Sequence, residues 1–214
     1  MNEYKIPDTE FKKQVTEFGL IKREKIENIN SKLLFNIYKQ YEKEQNNIII
    51  GEIFIGKEDI NKKIQILNSF ENVQVIKSKF INYDSDNWIY ESEEELKENI
   101  EIKINGKKIE FSYYHQFEKE GIYKIVYSFK NKLTKTNYLF YNCMKFLCLD
   151  FSNFNSENII AMRCMFYNCN KLTKLDLTNF NAVNVTDKKD MFYGCNSLKK
   201  KNIITNDNKI LGCF

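Results

Sequence analysis

Residues 133–158 read LTKTNYLFYNCMKFLCLDFSNFNSEN, residues 159–184 read IIAMRCMFYNCNKLTKLDLTNFNAVN, and residues 185–210 read VTDKKDMFYGCNSLKKKNIITNDNKI. Laid over one another they repeat with a period of 26 residues: Phe140, Phe166 and Phe192 coincide, and so do Cys143, Cys169 and Cys195. Asp150 and Asp176 keep the interval, as do Phe154 and Phe180, Asn155 and Asn181, and Asn158 and Asn184. A fixed period of this size with a Leu-x-Leu element predicts a solenoid, in which each unit buries its apolar side only against its neighbours.

The side chains expected inside that stack are Phe140, Cys143, Leu149, Phe154, Phe166, Cys169, Leu172, Leu175, Leu177, Phe180, Phe192 and Cys195. In LTKLDLTNF, Lys174, Asp176 and Thr178 alternate with the leucines and so point outward on a short strand. Their equivalents one unit earlier are Cys148, Asp150 and Ser152. Asp150, Ser152, Lys174, Asp176 and Thr178 are therefore the candidate partner-binding face. The third unit departs from the pattern, because Lys200 and Lys201 stand where strand residues belong. It is expected to be a terminal cap or a closing hairpin.

Upstream, residues 46–131 change to a period of two. Ile48, Ile50, Ile53 and Ile55 begin it, and Ile60, Ile64 and Ile66 continue it. Ile100, Ile102 and Ile104 precede Asn105-Gly106, and Ile109, Phe111 and Tyr113 follow, a strong hairpin signal. A two-residue Asn-Gly turn sets Lys103 against Lys108, whereas a turn at Gly106-Lys107 sets Lys103 against Glu110 and Ile104 against Ile109. Tyr123, Ile125, Tyr127 and Phe129 mark one more strand. The expectation is a small antiparallel β domain, a sandwich being one form open to it, that caps the repeats and shares their core.

Residues 1–45 carry Ile26, Ile29, Leu33, Leu34, Ile37 and Tyr41 on one stripe at 3.6-residue spacing, which predicts an amphipathic helix. The organisation read from the sequence is thus a helical segment (1–45), a β domain (46–131) and repeats with a C-terminal cap (132–214). The fold class is α+β, ending in a short leucine-rich-type α/β solenoid.

The stretch MFYNCNKLTKLDLTNFNAVNVTD and the following MFYGCNSL resemble the BspA-like leucine-rich repeat, a type found in mycoplasma surface lipoproteins and in protist proteins. The resemblance covers about residues 133–200 and implies a curved, non-catalytic protein-binding or adhesive array, often at cell surfaces.

Chemistry-bearing residues are sparse. Six cysteines form no paired C-x-x-C elements, so neither zinc nor any other cofactor is expected. His115 is the one histidine, and an enzyme site would need it beside a cysteine or a carboxylate pair. Phosphate-cradling glycine motifs are missing, and the acidic run from Glu91 to Glu98 lacks calcium-loop spacing. The last 83 residues hold 12 basic and 6 acidic groups, but arginine is scarce and no nucleic-acid motif accompanies them. The sequence thus predicts a protein partner and no nucleic acid. No apolar run approaches the ~20 residues of a membrane span, and the first residues offer no signal-peptide core. The expected location is intracellular and cytoplasmic, with the cell surface as the alternative if a leader precedes this sequence. Asn184-Val185-Thr186 forms a glycosylation sequon, at a place where a turn-forming asparagine is the simpler reading.

Overall fold

The computed structural model describes residues 47–69, 71–72, 75 and 93–214. The amphipathic helix expected over residues 1–45 lies outside the described residues. Among those described, nine strands, two short helices and two 3-10 turns have defined bounds, and Glu71, Asn72 and Val75 are also helical. The strands are β1 (Ile48–Ile55), β2 (Lys63–Gln65), β3 (Ile100–Ile104), β4 (Lys107–Ile109), β5 (Tyr114–Gln116), β6 (Gly121–Phe129), β7 (Phe146–Asp150), β8 (Lys174–Leu177) and β9 (Ile203–Thr205). The helices are α1 (Glu93–Asn99) and α2 (Asn208–Leu211).

This corrects the expected α+β class. The described chain is mostly β, and its repeats contain no α-helix between their strands, so they are not an α/β solenoid. The physical reason lies in the MFYNC segments. Amides of Leu139, Tyr141 and Cys143 close tight turns onto carbonyls three residues back, as a helix start would. The alternate amides of Thr136, Tyr138, Phe140 and Asn142 instead reach Ala161, Arg163, Met165 and Tyr167 in the next unit. Met162, Cys164, Phe166 and Asn168 repeat the pattern onto Asp187, Lys189, Met191 and Tyr193. Half the donors are spent between units, so a continuous i to i−4 ladder cannot form. The left-handed backbone at Tyr138, Cys164 and Asp190, and again at Asn142, Asn168 and Gly194, interrupts any helix twice per unit, at the same two places each time.

The sandwich form left open for residues 46–131 is also corrected. Seven strands form one mixed sheet in the order β4-β3-β6-β1-β7-β8-β9, with β2 and β5 pairing apart from it. The β4-β3-β6-β1-β7 part is antiparallel and β7-β8-β9 is parallel, so the sheet runs without interruption from the alternating region into the repeats. Neighbouring units supply neighbouring parallel strands, because a fixed repeat length brings equivalent residues side by side: Leu149 beside Leu175 and Asp150 beside Asp176. β9 is not the closing hairpin expected of the third unit. It continues the parallel set with Ile203 beside Leu175, two residues later than the repeat interval requires. The 3-10 turn Lys200–Asn202 takes up those two residues. α2 then follows, with Ile210 buried and the Phe214 ring 5.8 Å from that of Phe192.

One apolar core serves both parts. At the seam Gly51 lies opposite Leu149, and a Cβ there would collide with the Phe146 ring and stand 3.2 Å from Leu149 Cδ2. Asn47 fastens the same seam. Its side-chain amide donates to the carbonyls of Phe129 (3.2 Å) and Asn131 (2.8 Å), while its side-chain oxygen accepts from the Asn155 amide (3.2 Å). Lys145 reaches from the first repeat to Asp59, with Nζ 2.5 and 2.6 Å from the two carboxylate oxygens. Together with the Gly56 amide, this holds the Asp59 carboxyl below its ordinary pKa, the Lys145 hydrogen bond being the largest cause.

The hairpin adopts the Asn-Gly turn, with left-handed backbone at Asn105 (φ 47°) and Gly106 (φ 80°). That sets Lys103 opposite Lys108, a like-charge pair. The Glu101 carboxylate resolves it by bridging both, 3.1 Å from Lys103 Nζ and 2.5 Å from Lys108 Nζ.

Candidate functional site

Along each central strand, alternate side chains enter the core and the rest form an open face. In β1 the residues Ile49, Ile53 and Ile55 are buried, leaving Ile50, Glu52 and Phe54 outside. In β6 Ile125, Tyr127 and Phe129 are buried, leaving Ile122, Lys124, Val126 and Ser128. Strand register lines these outer positions up across the sheet. One row runs Lys108, Lys103, Val126, Ile50, Asp150, Asp176 and Ile204. Beside it runs Lys124, Glu52, Cys148 and Lys174, and beyond that Phe54 faces Ile122. Charges of both signs flank the small apolar centre of Val126 and Ile50, lysines on the β3 side and aspartates on the β7 side of that row.

Of the five predicted partner-face residues the register places Asp150, Lys174 and Asp176 on this face, with Lys174 exposed, while the half-buried Ser152 and Thr178 lie just past the ends of β7 and β8. Two of them also have local work. Asp150 Oδ1 accepts the Ser152 amide (2.8 Å), and Asp176 Oδ1 accepts the Thr178 amide (3.0 Å) and hydroxyl (2.6 Å). These carboxylates end their strands as side-chain-to-backbone turns. Glu52, Lys124, Lys103, Val126 and Ile50 were not among the predicted face residues. Their outward alternation was visible in GEIFI and GIYKIVYSF, but no local pattern reveals that β1 lies beside β7.

The twelve side chains expected in the repeat core are all buried. Several meet their own kind one unit on, as Leu149 lies beside Leu175 and Phe154 stacks on Phe180. Phe140, Phe166 and Phe192 lie near-parallel at 6.3 and 5.9 Å, and Tyr141, Tyr167 and Tyr193 stack at 4.8 Å. The Cys169 thiol donates to the Phe140 carbonyl (3.1 Å) and the Cys195 thiol to that of Phe166 (3.0 Å). Burial pushes both thiols up, Cys195 to about 12. Cys148, at the centre of the open face, is also raised, first by burial and then by Glu52. None of the six cysteines is disulfide-bonded, and such thiols are poor nucleophiles.

A second, shallower feature is an open groove of about 490 Å³ lined by Lys63, Ile109, Glu110, Ser112, Tyr114, His115 and Gln116. His115 packs edge-on against Phe117 at 4.7 Å, and burial lowers its pKa, which favours neutral imidazole. The groove lining holds one carboxylate, Glu110, and no cysteine. Among the described residues no group of three or more His, Cys, Asp or Glu side chains is placed to hold a metal ion, and no helix is long and apolar enough to cross a membrane. At the sequon Asn184 is exposed, and Thr186 Oγ1 donates to the Ile160 carbonyl of the preceding unit (3.2 Å).

Residues 110–209 match the family described as Mycoplasma protein of unknown function, DUF285. The matched span starts within the alternating region, takes in β5 and β6, and continues through β9. It therefore crosses the boundary near residue 131 just as the sheet does. Neither the curated proteins nor the solved structures include a match to the chain.

Proposed function

We propose that this protein is a non-catalytic protein-interaction module whose docking surface is the open face of the seven-stranded sheet. The observation that carries the reading is the register of that face. It aligns outer residues of both sequence regions into one surface with a small apolar centre and charges of both signs around it. Such a surface suits a protein partner of complementary charge better than the one-signed backbone of a nucleic acid. The buried thiols of Cys143, Cys169 and Cys195, all raised by burial, and the single carboxylate in the groove of His115 support the non-catalytic part of the reading. The repeat itself we read as BspA-like, on the MFYNC and LTKLDL elements, and the cytoplasm as the place of action.

Glu52 and Lys174 flank Cys148 on the face and are exposed, so reversing both (E52K with K174E) tests the reading with little cost to the fold. In quantitative affinity purification from the source cell, the variant is expected to lose its main partner by roughly tenfold or more. An unchanged partner set at unchanged thermal stability rejects the face. A second reading, adhesion at the cell surface, draws on the same BspA-like resemblance and on the mycoplasma family match. Biotinylation of intact cells separates the two, since only a surface protein is labelled.

A further inference from the structure

Two of the three repeat units hand a row of alternate amides to the carbonyls of the unit that follows. The equivalent amides of the third unit belong to Lys188, Asp190, Phe192 and Gly194, and among the described residues none of the four has an acceptor. Lys188, Asp190 and Gly194 are half-exposed, whereas Phe192 is buried beneath Phe214. Next to this row Tyr193 ends the tyrosine stack with 62% of its surface open. Unspent backbone donors in a line act like the edge of a sheet: they accept any segment that offers carbonyls at the same spacing.

A second copy of this chain does not fit. Two third units meeting end to end would set donors against donors. Head-to-tail stacking would need the carbonyls of the first unit, and those of Leu139 and Tyr141 are already taken by the Asn68 amide (3.1 Å) and the Gln65 side chain (2.8 Å). What does fit is shown twice inside the molecule: a segment in the shape of one more repeat turn, with an aromatic ring to lie on the tyrosine.

We propose that the third-unit amide row is a docking edge for a segment of another protein that adopts the repeat-turn shape, giving its carbonyls to Lys188, Asp190 and Gly194 and an aromatic ring to Tyr193. The inference rests on the protein-binding reading but uses a different surface. The Glu52 and Lys174 reversals leave this edge intact, so either site can fail without the other.

The probe is a synthetic peptide of residues 185–197, the sequence that fills the equivalent row of the second unit, titrated under reducing conditions into the isotope-labelled full chain. The expected result is saturable binding that shifts the amide resonances of Lys188, Asp190 and Gly194 and slows their hydrogen exchange, with Met162, Cys164, Phe166 and Asn168 unaffected. Tyr193→Ser is expected to weaken binding roughly 3- to 10-fold, the range of one aromatic pair, while Tyr193→Phe keeps it. Three outcomes overturn the proposal: no response at the three amides, equal binding of a scrambled peptide, or protection of the same amides by concentration-dependent self-association.

Discussion

The two halves of the sheet are built by different rules. In the antiparallel half each strand differs from its neighbour, and register comes from turns, as where Asn105-Gly106 forces Lys103 against Lys108 and Glu101 repairs the clash. In the repeat half the first two units set equivalent residues side by side, so their register comes from the repeat length itself, and only β9 departs from it by two residues. The difference teaches where each half is vulnerable. A change in a hairpin is felt locally, whereas a change in the middle unit is felt at two interfaces at once.

The largest effect is therefore expected at the middle of the phenylalanine stack. Phe166 lies between Phe140 and Phe192 and also meets Phe151 edge-on at 5.6 Å. Phe166→Ala is expected to cost about 3–5 kcal/mol in chemical unfolding, and Phe192→Ala measurably less because it has one stacking neighbour in the repeats. Equal losses would mean the stack is not cooperative.

Next comes the seam. Asn47→Ala removes three hydrogen bonds that tie β1 to β6 and to the first repeat, and it puts alanine at φ 94°. A loss of about 2–4 kcal/mol is expected, with Asn47→Gly somewhat milder because glycine accepts the backbone angle. If glycine were as damaging as alanine, the side-chain bonds alone would account for the effect.

The Lys145–Asp59 pair also crosses the seam and adds a pH signature. Asp59 is depressed in the folded state, so its contribution is present in full above the unfolded value near ~3.9 and is lost as pH falls through the folded value. Lys145→Met is expected to lower stability by about 1–3 kcal/mol at neutral pH. The gap to wild type should shrink below about pH 4. A gap independent of pH would rule out the ion pair as its source. The smallest effect belongs to the hairpin: Glu101→Gln is expected to cost under ~1 kcal/mol, and less still at high salt.

How much of this was legible depended on whether the signal was local. The 26-residue interval picked out side chains that are buried, because Phe140, Phe166 and Phe192 need only be compared with one another. The alternation in β1 and β6 named the buried isoleucines for the same reason. The helical content of the repeats was misjudged, since the destination of alternate amides is a property of stacked units and leaves no trace in side-chain pattern. The open face was half legible. Asp150 and Lys174 follow from the repeat, while Glu52 and Lys124 join them only through a strand pairing that links distant parts of the chain. Asn47 carried no signal in a chain so rich in asparagine.

The central claim is that two unlike sequence regions make one sheet and therefore one face. Native-state hydrogen exchange read separately over β6 and β8, with rising denaturant, tests it directly. One shared opening free energy and one shared denaturant dependence for the slowest amides of both strands is the predicted result. If β8 opens at lower free energy and with a smaller denaturant dependence while β6 stays protected, the halves are independent and the continuous face does not hold as a unit.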